Sequence, residues 1–268
     1  GRLYESFSRD GTQWTPARPS RFYSSDSPAA FVRLTDGRIV VFWNNCQNAP
    51  NTDGSEPYTN RDVLHAALSD DEGMSWRGYR EVYRDPRRNE PPPKRGDSGT
   101  AYPDAAAIRD NQILLMTGHS EGRAKMLLID PDWLMETSAE DHFADGLERW
   151  CVYKGVGPVE SYWRDRVAGA SLVPHPDKEG AKVLQVHRPK GEPADGAVWS
   201  FPMGHRGRLQ LRIRLQPGFG GASIALADRY YDPTDVAGER QALFDLRIST
   251  YRQLMSGQAL DAERWYTL

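Results

Sequence analysis

Ser69-Asp70-Asp71-Glu72-Gly73-Met74-Ser75-Trp76, SDDEGMSW, is the stretch whose reading decides the fold. It lies between two strand-like runs, DVLHAAL before it and REVY after it. Written S-x-D-x-G-x-S-W, it is a hairpin turn with five fixed positions. The Asp71 carboxylate is placed to accept hydrogen bonds from backbone N–H groups of the turn, the chemistry of an Asx-type turn. Gly73 supplies a backbone angle that a side chain disfavours. The Ser69 and Ser75 hydroxyls can tie the turn together, and Trp76 is expected to start the return strand with its ring under the loop. A shorter relative occurs earlier, at Ser8, Asp10, Gly11 and Trp14. A turn of one design that recurs along a chain marks an antiparallel repeat fold.

Working outward, two hairpins share one plan. AAFVRL turns on Thr35-Asp36-Gly37 and returns as RIVVFWNN; YPDAAAI turns on Arg109-Asp110-Asn111 and returns as QILLMTGH. Each is followed by a further strand, DVLHAALS in the first copy and AKMLLIDPDW in the second. The repeat is roughly 70 residues or four strands, the size of a propeller blade rather than of a leucine-rich or helical repeat. RLYESFS at residues 2–8 reads as a strand, TPARPSRFYSSDSP as a loop, and residues 85–100 as a long loop of the kind that forms a rim or a site. About two and a half blades precede residue 135. An open arc would expose an apolar inter-blade face, so the remaining blades are expected from upstream sequence or another chain.

Beyond residue 133 the character changes. WLMETSAEDHFADGLERW reads as a linker, with Ser138 able to begin a helical turn. From about residue 165 the chain reads as strands again: GASLVP, AKVLQVHRP, GAVWSFP, GRLQLRIRLQ, GASIALADRYY, QALFDLRIS and RWYTL. GRLQLRIRLQ places Leu209, Leu211, Ile213 and Leu215 on one face, as a β-sandwich with one wet face requires.

Composition narrows the function classes. The 268 residues carry 34 Lys and Arg against 37 Asp and Glu, a formal charge of -3, which gives no bulk attraction to nucleic acid. No apolar segment approaches the ~18 residues of a membrane-spanning helix. The two cysteines, Cys46 and Cys151, are read as thiols rather than a bridge and leave the redox compartment open. His175, His187 and His205 lack metal-ligand spacing, so no metal or cofactor is expected. An extracellular or periplasmic location is the expectation, although no signal-peptide pattern is present.

With these residues in view, SDDEGMSW resembles the Asp-box of sialidases and related BNR-repeat propellers. The order around it also resembles the last blades of a six-bladed sialidase-like domain: a hairpin, a polar loop, Asn60-Arg61-Asp62 entering a strand, the box, a long loop, then Ala101-Tyr102-Pro103-Asp104. The C-terminal part resembles a sandwich domain appended to many sialidase-like proteins. The resemblance implies an all-β fold: the C-terminal blades of a six-bladed β-propeller over 1–135, a linker over 136–164, and a concanavalin-like or jelly-roll β-sandwich over 165–268. It implies that Arg61 belongs to a set of arginines gripping a substrate carboxylate, and that Tyr102 is a nucleophile, with Pro103 standing where the family has Ser. It also implies that the acid/base Asp and the Glu activating the tyrosine come from blades outside this sequence.

The residues themselves support that chemistry unevenly. A guanidinium holds a carboxylate through two parallel bonds, which suits Arg61, with Tyr58 close to it in sequence, to an acidic sugar. A neutral tyrosine attacks an anionic sugar without charge repulsion but needs a carboxylate base. Asn44, Asn45 and Gln47 offer amides for sugar hydroxyls, or hold the following loop. Asp104 and His119 lie at strand ends beside the same loops; His119 could serve as acid/base or bind a hydroxyl. Asp71 is read as structural, because its turn chemistry is complete without a substrate, and His65 as packed inside its strand. Trp199, Trp163 and Tyr230 are read as core or seam aromatics. The functional expectation is an exo-acting glycoside hydrolase on an acidic or decorated glycan. A uronate lyase and a non-catalytic glycan-binding propeller stay open, since fold alone does not choose among them.

Overall fold

The computed structural model describes residues 2–25, 27–45, 61, 63–85, 99–118, 124–154, 169–188, 194–226 and 242–268, with Tyr153 in backbone only. The fold is all-β. β1 (Arg2–Glu5) pairs antiparallel with β2 (Arg18–Tyr23). A four-stranded meander follows: β3 (Ala30–Arg33), β4 (Ile39–Trp43), β5 (Val63–Ser69) and β6 (Arg77–Arg84). β7 (Asp104–Ala107), β8 (Ile113–Thr117) and β9 (Lys125–Ile129) make a three-stranded sheet.

The meander is wedged between its neighbours, and its sequence shows why. β5 is buried at every position, so VLHAALS reads as a continuous run rather than an alternation. Successive side chains point to opposite faces. Val40, Phe42, Leu64, Ala66 and Leu68 pack on one face with Ile113, Leu115 and Ile129 of the next sheet. Val41, Trp43 and Ala67 pack on the other with Phe22 of β2. β3 and β7, the first strands of their sheets, lie against each other. This is the face-to-face stacking of propeller blades.

Both Asp-boxes join paired antiparallel strands: Ser69–Trp76 links β5 to β6, the third and fourth strands of the meander, and Ser8–Trp14 links β1 to β2. Asp71 Oδ1 accepts from Ser69 Oγ and Ser75 N, both at 2.8 Å, and Oδ2 accepts from Ser75 Oγ at 2.5 Å. The Gly73 N–H donates to Ser69 Oγ at 2.8 Å. In the shorter box Asp10 Oδ1 accepts from Thr12 N (2.8 Å) and Gln13 N (2.9 Å). The half-buried Trp76 ring meets Phe22 at 5.1 Å, edge to face. β2 lies inside the stretch read as a loop; Pro19, which has no N–H to donate, is tolerated in a strand that pairs on one side only among the described residues.

The two equivalent hairpin turns are stitched together. Asn111 Nδ2 donates to Asp36 Oδ2 at 2.8 Å, and Asn111 Oδ1 accepts from the Asp36 N–H and the Thr35 hydroxyl. On the far side of the β7–β9 sheet Met116, Met126 and Leu128 are exposed, the apolar face expected of an arc of blades.

After a 3-10 turn at Trp133–Met135, residues 136–142 are irregular; no helical turn starts at Ser138. Tertiary contacts claim the segment instead: Glu136 pairs with Arg80, and Asp141 accepts from the Trp150 indole N–H at 3.0 Å. The stretch read as linker also holds β10 (Trp150–Lys154), which pairs with β13 (Asp195–Trp199). β11 (Ser171–Pro174) pairs with β12 (Lys182–Gln185), β14 (Arg212–Arg214) with β17 (Trp265–Thr267), and β15 (Ala222–Leu226) with β16 (Phe244–Ile248). Leu215, Ile248 and Leu260 form the small core there, with Ile213, Ile224 and Tyr266 against it. Leu211 and Ile213 are half-buried and Leu215 buried as the alternation requires, whereas Leu209 precedes the paired segment and is exposed. Contacts among the described residues bind this part to the blades: Cys151 and Val198 pack on Val63, and Met203 N–H donates to Tyr79 O of the edge strand β6 at 3.1 Å.

His65 sits inside β5 as a packed residue. Burial first, and then the positive charge of Arg84, push its imidazole down to about 3. The unfolded chain takes up that proton below about pH 6.5 while the folded chain does not. Stability is therefore fully present above that value and falls by up to about 1.4 kcal/mol per pH unit on the way down to about 3. Asp71, held at about 2 chiefly by Ser75, and Asp10, held at about 2 chiefly by the Gln13 N–H, act in a lower window. Their contribution is present above about pH 4 and lost as the pH falls through about 2. Thermal melts at several pH values should show both limbs, His65→Leu flattening the upper one and Asp71→Asn the lower.

Candidate functional site

Antiparallel order gathers four segments at one end of the blades: Asn44-Asn45 after β4, Arg61 before β5, Gly99–Pro103 before β7, and Thr117-Gly118 closing β8. The Ser69–Trp76 box and the Thr35–Gly37 and Arg109–Asn111 turns lie at the other end. β5 alone puts six strand steps between Val63 and Ser69, about 20 Å at ~3.3 Å per residue. The Asp-boxes thus face away from this cluster.

Thr100 is the clamp of the cluster. Its N–H and its hydroxyl both donate to the Arg61 carbonyl, at 2.6 and 3.0 Å. Its hydroxyl also accepts from Asn44 Nδ2 at 2.9 Å, and its carbonyl accepts from Thr117 Oγ1 at 2.5 Å. Asn44 Nδ2 spends its second N–H on the Val63 carbonyl at 2.8 Å. One threonine therefore ties the strand ends of two blades together among buried groups: Asn44 and Thr100 are fully buried and Arg61 is 4% exposed. Gly99 makes the approach possible. At φ 107° it passes so close that a Cβ there would lie 2.3 Å from the Arg61 carbonyl oxygen.

Arg61 and Tyr102, chosen from distant parts of the sequence, come together. The Tyr102 ring centroid is 5.7 Å from Arg61 Cζ, within cation–π range. Tyr102 is the outward partner, 51% exposed, and its backbone is left-handed at φ 58°. For a bulky residue that conformation costs roughly 1–3 kcal/mol and persists only where its surroundings hold it. Here the Ala101 carbonyl is fixed by the Gly118 N–H at 3.3 Å and Thr100 by its three partners.

The other candidates divide. Both N–H groups of the Asn44 amide are used in the clamp, and its buried Oδ1 has no partner among the described residues, so its observed role is to join strands. Asn45 is buried next to it. Asp104 opens β7 opposite Met116 and is exposed. Gln47, Tyr58 and His119 lie outside the described residues. Gly99, Thr100 and Thr117 escaped the sequence reading, because the groups they meet lie far along the chain: the Arg61 carbonyl of the other sheet for Gly99 and Thr100, and the Thr100 carbonyl for Thr117. Asp85 escaped it too: it is buried and follows Arg84, whose register partner is Val63, so a carboxylate reaches the same end as Arg61.

No curated protein matches the chain. The family model described as BNR repeat-like domain matches residues 1–128. These residues hold both Asp-boxes, the stacked sheets and the Arg61–Tyr102 cluster. Over residues 1–128 the chain is thus similar in sequence to BNR repeat-like domains, and its all-β fold agrees with that likeness.

Proposed function

We propose that the protein is a sialidase-like glycoside hydrolase acting on an acidic or decorated glycan at Arg61 and Tyr102. The observation that supports it is the convergence of these two side chains, 5.7 Å apart, at the blade end opposite the Asp-boxes. The Arg61 guanidinium holds the substrate carboxylate through paired hydrogen bonds. The Tyr102 oxygen attacks the anomeric carbon and the glycosidic C–O bond breaks, giving a tyrosyl-glycoside that water then releases with retention. A carboxylate base takes the tyrosine proton and a carboxylic acid protonates the departing oxygen.

In this reading those carboxylates come from further blades, supplied by upstream sequence or another chain, which cover the apolar face of Met116, Met126 and Leu128. The segment 165–268 braces the ring. An acidic extracellular or periplasmic glycan is the substrate class in view. Leu128→Lys in the full-length protein should then lower Tm by at least about 5 °C, since a lysine would be forced into a covered face. An unchanged Tm would show that the face stays in water.

The activity test is release of fluorophore from sialoside, glucuronide and galacturonide substrates by the full-length protein. Hydrolysis of at least one, with retention, is expected. An unsaturated product would mark a lyase, and binding without turnover would mark a glycan-binding propeller.

A further inference from the structure

A cleft lies elsewhere in the molecule. Between β6, the Trp133–Met135 turn and the 200–202 segment after β13 is a cleft of about 560 Å³. Sites for small ligands commonly measure about 300–1,000 Å³. Neither Arg61 nor Tyr102 lines this cleft.

Its chemistry combines aromatic surface with internally neutralised charge. Trp199 stacks on Trp150 at 5.8 Å and 14° and leans on Phe201 at 5.2 Å, which keeps a rigid aromatic wall in place. Trp133 lines the cleft under the Arg80 guanidinium, whose Cζ is 3.7 Å from the ring centroid. Arg80 is paired with Glu136 at 2.8 Å and Arg84 with Glu81. Arg149 donates to the Glu140 carbonyl at 3.0 Å. Three arginines and three glutamates line the cleft, so its formal charge cancels. A net-cationic cleft would select an anion; this one offers hydrogen-bond donors and acceptors without a field. The Trp199 indole N–H is shut off from solvent and has no partner among the described residues.

A ligand that matches must present apolar faces to aromatic rings and hydroxyls to guanidinium and carboxylate groups, with no charge of its own. We propose that this cleft binds a neutral oligosaccharide, with pyranose C–H faces against Phe201 and Trp199 and hydroxyls bonded to the arginine and glutamate side chains. The proposal does not depend on the reading of Arg61 and Tyr102.

The test is isothermal titration calorimetry of the full-length protein with neutral trisaccharides of β-1,4-linked glucose, mannose and N-acetylglucosamine, alongside a uronic acid trisaccharide. At least one neutral sugar is expected to bind with a Kd below about 1 mM and to quench tryptophan fluorescence. Phe201→Ala should weaken it tenfold or more, while Tyr102→Phe leaves it unchanged. Arg149→Met, on an exposed side chain, should weaken it threefold or more and carries the test if Phe201→Ala fails to fold. The proposal is overturned if no neutral trisaccharide binds, if only the acidic one binds, or if binding survives the cleft substitutions and is lost in Tyr102→Phe.

Discussion

Gly99→Ala should be among the most damaging small substitutions in the chain, lowering stability by about 3 kcal/mol or more. Two effects add. The backbone at φ 107° is one that a side chain disfavours, and the new Cβ would lie 2.3 Å from the Arg61 carbonyl oxygen and 2.7 Å from its carbon. Neither neighbour can yield, because both are backbone and the carbonyl is already held by Thr100. Gly37→Ala separates the effects: Gly37 has φ 94° but nothing within 4 Å of a Cβ. It should lose only the conformational part, about 1 kcal/mol. At roughly 2–4 °C per kcal/mol, thermal melts should place Gly99→Ala about 10 °C below the parent and well below Gly37→Ala. Equal melts would mean that the passage beside Arg61 is not tight.

Tyr102→Phe should reduce kcat at least ~1,000-fold, which corresponds to about 4 kcal/mol of transition-state stabilisation. The substitution removes one oxygen from a half-exposed ring and leaves the ring over Arg61 in place. The proposed carboxylate grip of Arg61 is untouched, so KM should change little; a loss confined to kcat is the signature of a group acting in the transition state. Steady-state kinetics on the best acidic glycoside checks this.

How far the sequence could be read depended on where each feature's partners lie. The Asp-boxes were legible because Ser69, Asp71, Gly73 and Ser75 satisfy one another within a single turn. The hairpins β3–β4 and β7–β8 were legible because a buried return strand writes itself as an apolar run. β2 was hidden by Pro19, and β10 by its short run in charged surroundings, since its partner β13 is far along the chain. Ser138 met the local requirements for a helix start, but Arg80 and Trp150 hold the segment in another course. In the site, Arg61 and Tyr102 were chosen through a family likeness, and the structure sets them side by side. The clamp through Thr100 had no sequence signal, because a buried hydroxyl bonded to a distant carbonyl looks like any other threonine.

We propose a division of labour between the two blade ends: the Asp-box end holds the fold and the Arg61–Tyr102 end carries the chemistry. The most direct measurement sets specific activity on an acidic glycoside beside Tm for Tyr102→Phe and Asp71→Ala in the full-length protein. Tyr102→Phe should keep Tm within about 2 °C and lose activity at least ~1,000-fold. Asp71→Ala should melt earlier and retain activity at temperatures below its melt. An active Tyr102→Phe, or an Asp71→Ala that is folded but inactive, would contradict the account.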